Sequence, residues 1–95
     1  MQFILEKAED GRHKWVGVFT DDKGHEIRTP FGALGFEDFT IHRNRIRRSQ
    51  YLARHLSRED WLNPTTAGSL SRWILWETSN LEINVRKFKE RFNLK

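Results

Sequence analysis

Hydrophobic and polar residues alternate along the first third of the chain with the period of two that is typical of β-strands. Three such stretches predict strands, at residues 3–7, 14–20 and 25–29. In the second of them, Trp15 and Phe19 fall on one face and Val16 and Val18 on the other. Turn-forming Asp and Gly residues separate the strands, and Pro30 is expected to end the third. The sequence therefore predicts a three-stranded antiparallel meander over residues 1–31.

The second half of the chain changes to the helical period, with hydrophobic residues three or four positions apart. Three helices are predicted, at residues 40–58, about 66–77 and about 79–92. Asp38 and Thr40 are the candidate N-caps of the first helix. Its buried stripe is predicted to consist of Ile46, Leu52, Ala53 and Leu56.

The order of these elements predicts an α+β fold in one domain, residues 1–95. A β-meander (1–31) is followed by a helical part (40–95), whose three helices are expected to pack on one face of the sheet. The middle helix, with Trp73 and Ile74, should be the most buried. The connection before the first helix is expected to pack against the sheet through its apolar residues, Leu34, Phe36 and Phe39.

Composition narrows the class of protein. The chain carries a net charge of +4 and has a pI near 9.9, which favours polyanionic partners. It contains no Cys, so disulfides and thiolate chemistry are excluded. No apolar run approaches the roughly 18 residues that span a bilayer, and the N-terminus lacks the pattern of a signal peptide. We expect a soluble, intracellular protein that is neither secreted nor attached to a membrane.

The positive charge is concentrated in the first predicted helix, because residues 40–58 carry +6 while the whole chain carries +4. The window holds six arginines and no acid, and we predict that its arginines bind nucleic acid: Arg43, Arg45, Arg47, Arg48, Arg54 and Arg58. The spacing of Arg43, Arg47, Arg54 and Arg58 predicts one arginine face, which Arg45 and Arg48 flank. A planar guanidinium can bond two phosphate oxygens at once. In the alternative, the arginines pair with acids at the helix ends, Glu37, Asp38, Glu59 and Asp60.

A second basic patch lies at the C-terminus, where residues 80–95 carry +3. Further candidate nucleic-acid contacts are Arg86, Lys87 and Lys89, although cations near a helix C-terminus also suit the helix dipole. Tyr51 and Trp61 are candidate surfaces for base stacking. For Trp61 the alternative is a place at the edge of the core.

The sequence offers no convincing catalytic or metal-binding set, and we expect no cofactor. His42 and His55 lie thirteen positions apart and so on different helix faces. The paired acids fall in predicted turns and caps, where structure alone explains them. A small hydrolase or nuclease would have to be built around Glu37, Asp38 and His42, which must then converge on one point.

Several stretches resemble a family of small proteins encoded by large double-stranded DNA viruses, relatives of phycodnaviruses and mimiviruses. The resemblance covers about residues 14–93 and rests on Phe31-Gly32, Gly35–Thr40, His42, Tyr51–His55, Trp61, the AGSLSRWILW segment (Ala67–Trp76) and Phe88–Phe92. The chain departs from it at Glu77, where Asn is expected, and at Arg43-Asn44, where an acidic pair is expected. The resemblance implies an infected host cell or a virion as the setting and implies no activity.

Two functions remain as hypotheses. In the first, the protein is a small, basic, non-enzymatic module that contacts the phosphate backbone of nucleic acid, DNA above all, through its arginine-rich helix. In the second, it is a structural, virion-associated or protein-interaction module. Its arginines and aromatic residues then contact an acidic protein surface or a second copy in a homo-oligomer.

Overall fold

The computed structural model describes all 95 residues and confirms the α+β fold with its N-terminal meander. The sheet contains β1 (Gln2–Lys7), β2 (His13–Thr20) and β3 (Glu26–Ala33). They pair antiparallel in the order β1-β2-β3. Phe3 lies opposite Phe19, and Trp15 opposite Phe31, so these aromatic rings project from the same face.

The third strand is longer than the sequence predicts, because it continues through Pro30 to Ala33. β3 is an edge strand, so Pro30 removes no hydrogen bond from the interior of the sheet. The extension matters for packing, since it brings Phe31 into the core, where it is 1% exposed. Gly32 follows with φ +75°, and a Cβ there would lie 2.8 Å from Leu75.

The predicted helix from Thr40 to Arg58 is two helices, α1 (Phe39–His42) and α2 (Arg45–His55). Of the two candidate caps, Asp38 caps α1 by accepting a bond from the backbone N–H of Thr40. Arg43 then adopts φ 57°, which ends α1, and the Asn44 side chain caps α2.

Two further helical segments complete the chain. α3 (Ala67–Leu70) passes directly into a π-helical turn (Ser71–Leu75), and α4 (Leu81–Arg91) follows. The helices cover the sheet face that carries Phe3, which touches Phe88 of α4 with 4.9 Å between ring centres. None of these helices has both the length and the hydrophobicity of a membrane-spanning segment.

The middle helical segment is the most buried, as predicted, although the burial of its residues is uneven. Leu70 and Ile74 are fully buried, whereas Trp73 is half-buried. Leu70 packs on β2 at Gly17, where an added Cβ would lie 3.0 Å from the leucine. Helix and sheet therefore approach each other closely at this point.

The predicted buried stripe is confirmed only at Leu52, which packs against the core, and is wrong at Ile46, Ala53 and Leu56. Ile46 is 71% exposed and Leu56 66% exposed. The residues of α2 that turn inward are Arg48, Tyr51, Leu52 and His55. The cause lies outside the helix: the Tyr51 ring stacks on Trp76, with 4.2 Å between ring centres and 2° between ring planes. This contact fixes the rotation of α2 and therefore the direction of its arginines.

Candidate nucleic-acid interface

The predicted arginine face is present only in part: Arg47 and Arg54 share one side of α2, whereas Arg43 precedes the helix and Arg58 follows it. An α-helix turns by about 100° per residue. With Tyr51 and Arg48 facing inward, the other positions of α2 lie on two sides, here called flanks, to the left and right of the buried side. Arg47 and Arg54, seven positions apart, lie on one flank, and Arg45 lies on the other. Ile46 stands exposed between the flanks. Arg58 lies in the turn that follows α2.

Four of the six predicted arginines have no acidic partner. No carboxylate lies within 4.0 Å of the side chains of Arg43, Arg45, Arg54 or Arg58, and all four are exposed. Arg47 approaches Glu37 at 3.7 Å, and both side chains are about half exposed, so this pair is weak. Of the acids named in the alternative, only Glu37 pairs with one of these arginines, Arg47. Arg48 is also paired, but with Glu77, which the alternative did not include.

Arg48 is bound by the segment that follows the π-helical turn. Its Nε donates to the carbonyl oxygens of Trp76 at 2.6 Å and Glu77 at 3.1 Å. Its Nη2 reaches the Glu77 carboxylate at 3.4 Å. The guanidinium is thus held in one place and retains unused donors.

Arg43, Arg45 and Arg48 line a common cavity, here called the arginine pocket. It has a volume of about 550 Å³. The remaining lining residues are three with hydroxyl groups and one aromatic: Ser49, Thr78, Ser79 and Phe39. No carboxylate is among them, so the pocket presents hydrogen-bond donors and positive charge.

The other flank of α2 borders a groove of about 500 Å³, here called the aromatic groove. Arg47 and Arg54 lie along it, and the buried rings of Tyr51 and Trp76 form part of its floor. Phe36 lines the same groove with 73% of its surface exposed. An exposed aromatic ring beside two arginines can stack on a base whose phosphates the arginines contact.

Phe36 is a candidate binding residue that sequence reasoning missed. The predicted packing of the connection holds for Phe39, which is 8% exposed, and is wrong for Leu34 and Phe36. Gly35, with φ +87°, permits a turn that a bond from Phe36 N–H to Ala33 O closes. Gly35 was the available signal in the sequence. A glycine that can adopt positive φ favours a turn, and turns lie mostly at the protein surface, so the residue after it is often exposed.

The stacking role predicted for Tyr51 is contradicted, because its ring is 8% exposed and lies between other rings. Trp76 covers one face, and His55 stacks nearby at 4.2 Å between ring centres. Burial raises the pKa of Tyr51 to about 12.

This burial gives a testable expectation, because Tyr51 is the only tyrosine of the chain. The ordinary pKa is 10.0, so the unfolded chain ionises first and the folded state loses stability as pH rises from about 10 to about 12. Phenolate absorbance of the native protein should therefore appear near pH 12, and that of the urea-unfolded protein near pH 10. Identical titrations would contradict the burial.

Trp61 is half-buried and belongs to the edge of the core. The Arg72 guanidinium lies over the Trp61 ring, 5.2 Å from its centre. The backbone carbonyl oxygen of Trp61 accepts a hydrogen bond from Trp73 Nε1 at 2.9 Å. One ring face is therefore already covered by a cation. This favours the alternative that the sequence left open.

The C-terminal basic patch, like the arginines around α2, contains one cation that is paired with Glu77 and others that have no acidic partner. Lys87 Nζ lies 3.6 Å from the Glu77 carboxylate that also contacts Arg48 and Arg72. Burial alone would raise the pKa of Glu77, but the Arg72 hydrogen bond and the three positive charges outweigh it and lower the pKa. Lys87 therefore lies near Arg48, which lines the arginine pocket, whereas the side chains of Arg86 and Lys89 make no ion pair with the protein.

Glu37, Asp38 and His42 each contact a different partner. Asp38 is 3% exposed, caps α1 and binds Lys14 Nζ at 2.7 Å. Glu37 approaches Arg47, and His42 Nδ1 accepts the backbone N–H of Asn44 at 2.9 Å. Burial and the Arg47 charge lower the pKa of His42. No group of three His, Asp or Glu side chains is arranged to hold a metal ion.

The fold and this surface define a small α+β domain with an arginine-lined helix between two concave sites. A family model matches residues 4–55, a span from β1 to the last residue of α2. The chain therefore belongs to this family, described as a family of unknown function (DUF5754). No curated protein and no solved structure matches the chain.

Proposed function

We propose that the protein is a non-enzymatic module that binds the phosphate backbone of nucleic acid with the arginines around α2. The observation that carries the proposal is the set of four exposed arginines with no carboxylate within 4.0 Å, Arg43, Arg45, Arg54 and Arg58. Unpaired guanidinium groups lose no internal ion pair when they bind phosphate, and they release the counterions condensed on the backbone.

Phe36 adds a contact that charge alone does not supply. Its ring borders the groove that Arg47 and Arg54 line, so a base can stack there while neighbouring phosphates meet the arginines. This arrangement favours strands with accessible base faces. The resemblance to proteins of double-stranded DNA viruses favours DNA as the polymer, in an infected cell or a virion.

The proposal is tested by replacing the four unpaired arginines with glutamine and measuring oligonucleotide binding by fluorescence anisotropy. At about 50 mM salt we expect the affinity to fall about 100-fold, because each arginine contributes a phosphate contact. The slope of log K against log salt should become shallower by about 3. Single-stranded and duplex oligonucleotides of equal length are compared at two salt concentrations.

A charge-matched control separates this surface from net charge. Replacing Lys7, Arg12, Lys23 and Lys95 with glutamine changes the net charge equally at four exposed positions outside the helices. We expect this variant to bind almost as the native protein does. The proposal is wrong if the native protein does not bind at low salt, if salt has no effect, or if the two variants are equally impaired.

A second candidate function is contact with a protein, either an acidic partner or a second copy of this chain. The observation that favours it is a set of exposed apolar side chains in α2 and the segment that follows it, where Ile46, Leu56 and Leu62 are 71, 66 and 83% exposed. Arginine beside apolar residues is common at protein interfaces. A solution mass that corresponds to a stable oligomer, with α2 protected from hydrogen exchange, would favour this function.

A further inference from the structure

The arginine pocket differs from the rest of the basic surface because its cations converge on a cavity. Three arginines and three residues with hydroxyl groups line it, and no carboxylate does. The Thr78 hydroxyl is already hydrogen-bonded to Asn80 and Asn84, so Ser49 and Ser79 are the hydroxyl residues that a ligand can use. The aromatic groove, in contrast, contains Glu37 and Asp38 among its lining residues. The pocket is therefore the place where a compact, highly charged anion is best accommodated.

Side chains, not helix amides, would have to bind such an anion. The first amides of α2 are occupied, because Asn44 Oδ1 accepts the backbone N–H groups of Ile46 at 3.0 Å and Arg47 at 3.1 Å. Arg48 is already fixed by the carbonyl oxygens of Trp76 and Glu77, so its position needs no ligand. A group fixed before binding loses less conformational entropy when the ligand arrives.

The charge of the pocket matches a phosphate monoester better than a phosphodiester. The nearest acid is Glu77, which contacts Arg48 and shares its charge with Arg72 and Lys87. Arg43 and Arg45 thus retain their charges in full. A monoester carries about −1.5 to −2 at neutral pH, whereas a diester carries a single charge.

We propose that the arginine pocket binds a terminal phosphate of a nucleic acid strand, so that the protein recognises strand ends. This inference rests on the proposed function, since the other arginines and Phe36 would hold the chain that follows the terminal phosphate. A phosphorylated peptide would supply the same anion but no row of phosphates for Arg54 and Arg58. The nucleic acid end is therefore the ligand that uses the whole surface.

The test compares three single-stranded oligonucleotides of identical sequence, with a 5′-phosphate, with a 3′-phosphate, or with hydroxyl groups at both ends. We expect the native protein to bind at least one phosphorylated form about 10- to 100-fold more tightly than the unphosphorylated form. This range corresponds to one or two additional charge-assisted hydrogen bonds. A phosphoserine peptide serves as a further ligand.

Two variants remove the pocket without disturbing the fold. Arg43→Gly suits the positive φ of that position, and Arg45→Ala removes an exposed side chain without a protein partner. Both should abolish the preference for the phosphorylated end. Arg54→Ala, on the other flank of α2, should weaken the binding of all three oligonucleotides alike.

Each other outcome contradicts the inference. Equal affinity of the native protein for all three oligonucleotides would overturn it but leave the proposed function intact, because binding would still depend on salt. If both pocket variants still prefer the phosphorylated oligonucleotide, the terminal phosphate binds at a site other than the arginine pocket. Tighter binding of the phosphoserine peptide would reassign the pocket to a protein ligand. If no oligonucleotide binds, the proposed function itself is wrong.

Discussion

Asn84→Leu is expected to lower the free energy of unfolding by about 3–5 kcal/mol. Asn84 is fully buried in α4. All hydrogen bonds of its side-chain amide go to residues 74–78, which precede the helix. Nδ2 donates to Ile74 O at 2.7 Å and Thr78 O at 2.9 Å, and Oδ1 accepts from Thr78 N at 3.0 Å. Leucine has a similar size but leaves the buried Ile74 oxygen and the partly buried backbone groups of Thr78 without these partners, at about 1–3 kcal/mol each.

Urea denaturation measures this loss, and Arg86→Ala is the matched control. Arg86 is exposed on the same helix, so its replacement should change stability by less than about 0.5 kcal/mol. A domain of this size has only about 5–15 kcal/mol of stability, so Asn84→Leu should unfold at clearly lower urea concentrations. A loss below about 1 kcal/mol would mean that the asparagine does not connect α4 to the π-helical turn.

The sheet could be predicted from the sequence because its signals are local. Alternation and turn residues lie within a few positions of the strands that they define. The end of β3 could not be predicted from the sequence. A proline such as Pro30 is tolerated in an edge strand, but the sequence does not show which strand lies at the edge of the sheet. The break at Arg43 was also open to prediction, because Asn44 is a strong N-cap.

The direction of the arginines depends on contacts between distant residues. Periodicity placed Ile46 and Leu56 inside, as it would for an isolated amphipathic helix. The structure instead buries Tyr51, whose partner Trp76 lies 25 positions away, and binds Arg48 to carbonyl oxygens of the same segment. A charged residue can face inward when such partners exist, and no local pattern reveals them.

Glu77 is the residue at which stability and the proposed binding oppose each other. Its carboxylate is 15% exposed and contacts Arg72 at 2.9 Å, Arg48 at 3.4 Å and Lys87 at 3.6 Å. Glu77→Gln keeps the shape and removes the charge, so it leaves the largely buried Arg72 cation without its counter-ion. We expect a loss of about 3 kcal/mol in the free energy of unfolding.

The pH dependence follows from the lowered pKa of Glu77. A depressed carboxyl pKa stabilises the fold above the ordinary value of 4.5, and this contribution disappears as pH falls through the lower pKa of the folded state. The difference in stability between the native protein and Glu77→Gln should therefore be full near neutral pH and shrink below about pH 4.5. A difference that stays constant into acid would mean that the carboxylate charge is not responsible.

The same substitution should strengthen nucleic acid binding in the folded fraction. Arg48 keeps its bonds to the two backbone carbonyls, so its position is preserved, while Arg48 and Lys87 lose their shared anion. We expect a 3- to 10-fold rise in affinity at about 50 mM salt and a steeper salt dependence. Glu9→Gln, at an exposed position in the turn after β1, changes the net charge equally and should have little effect. Weaker binding by a folded Glu77→Gln protein would mean that Glu77 must hold Arg48 for the surface to function.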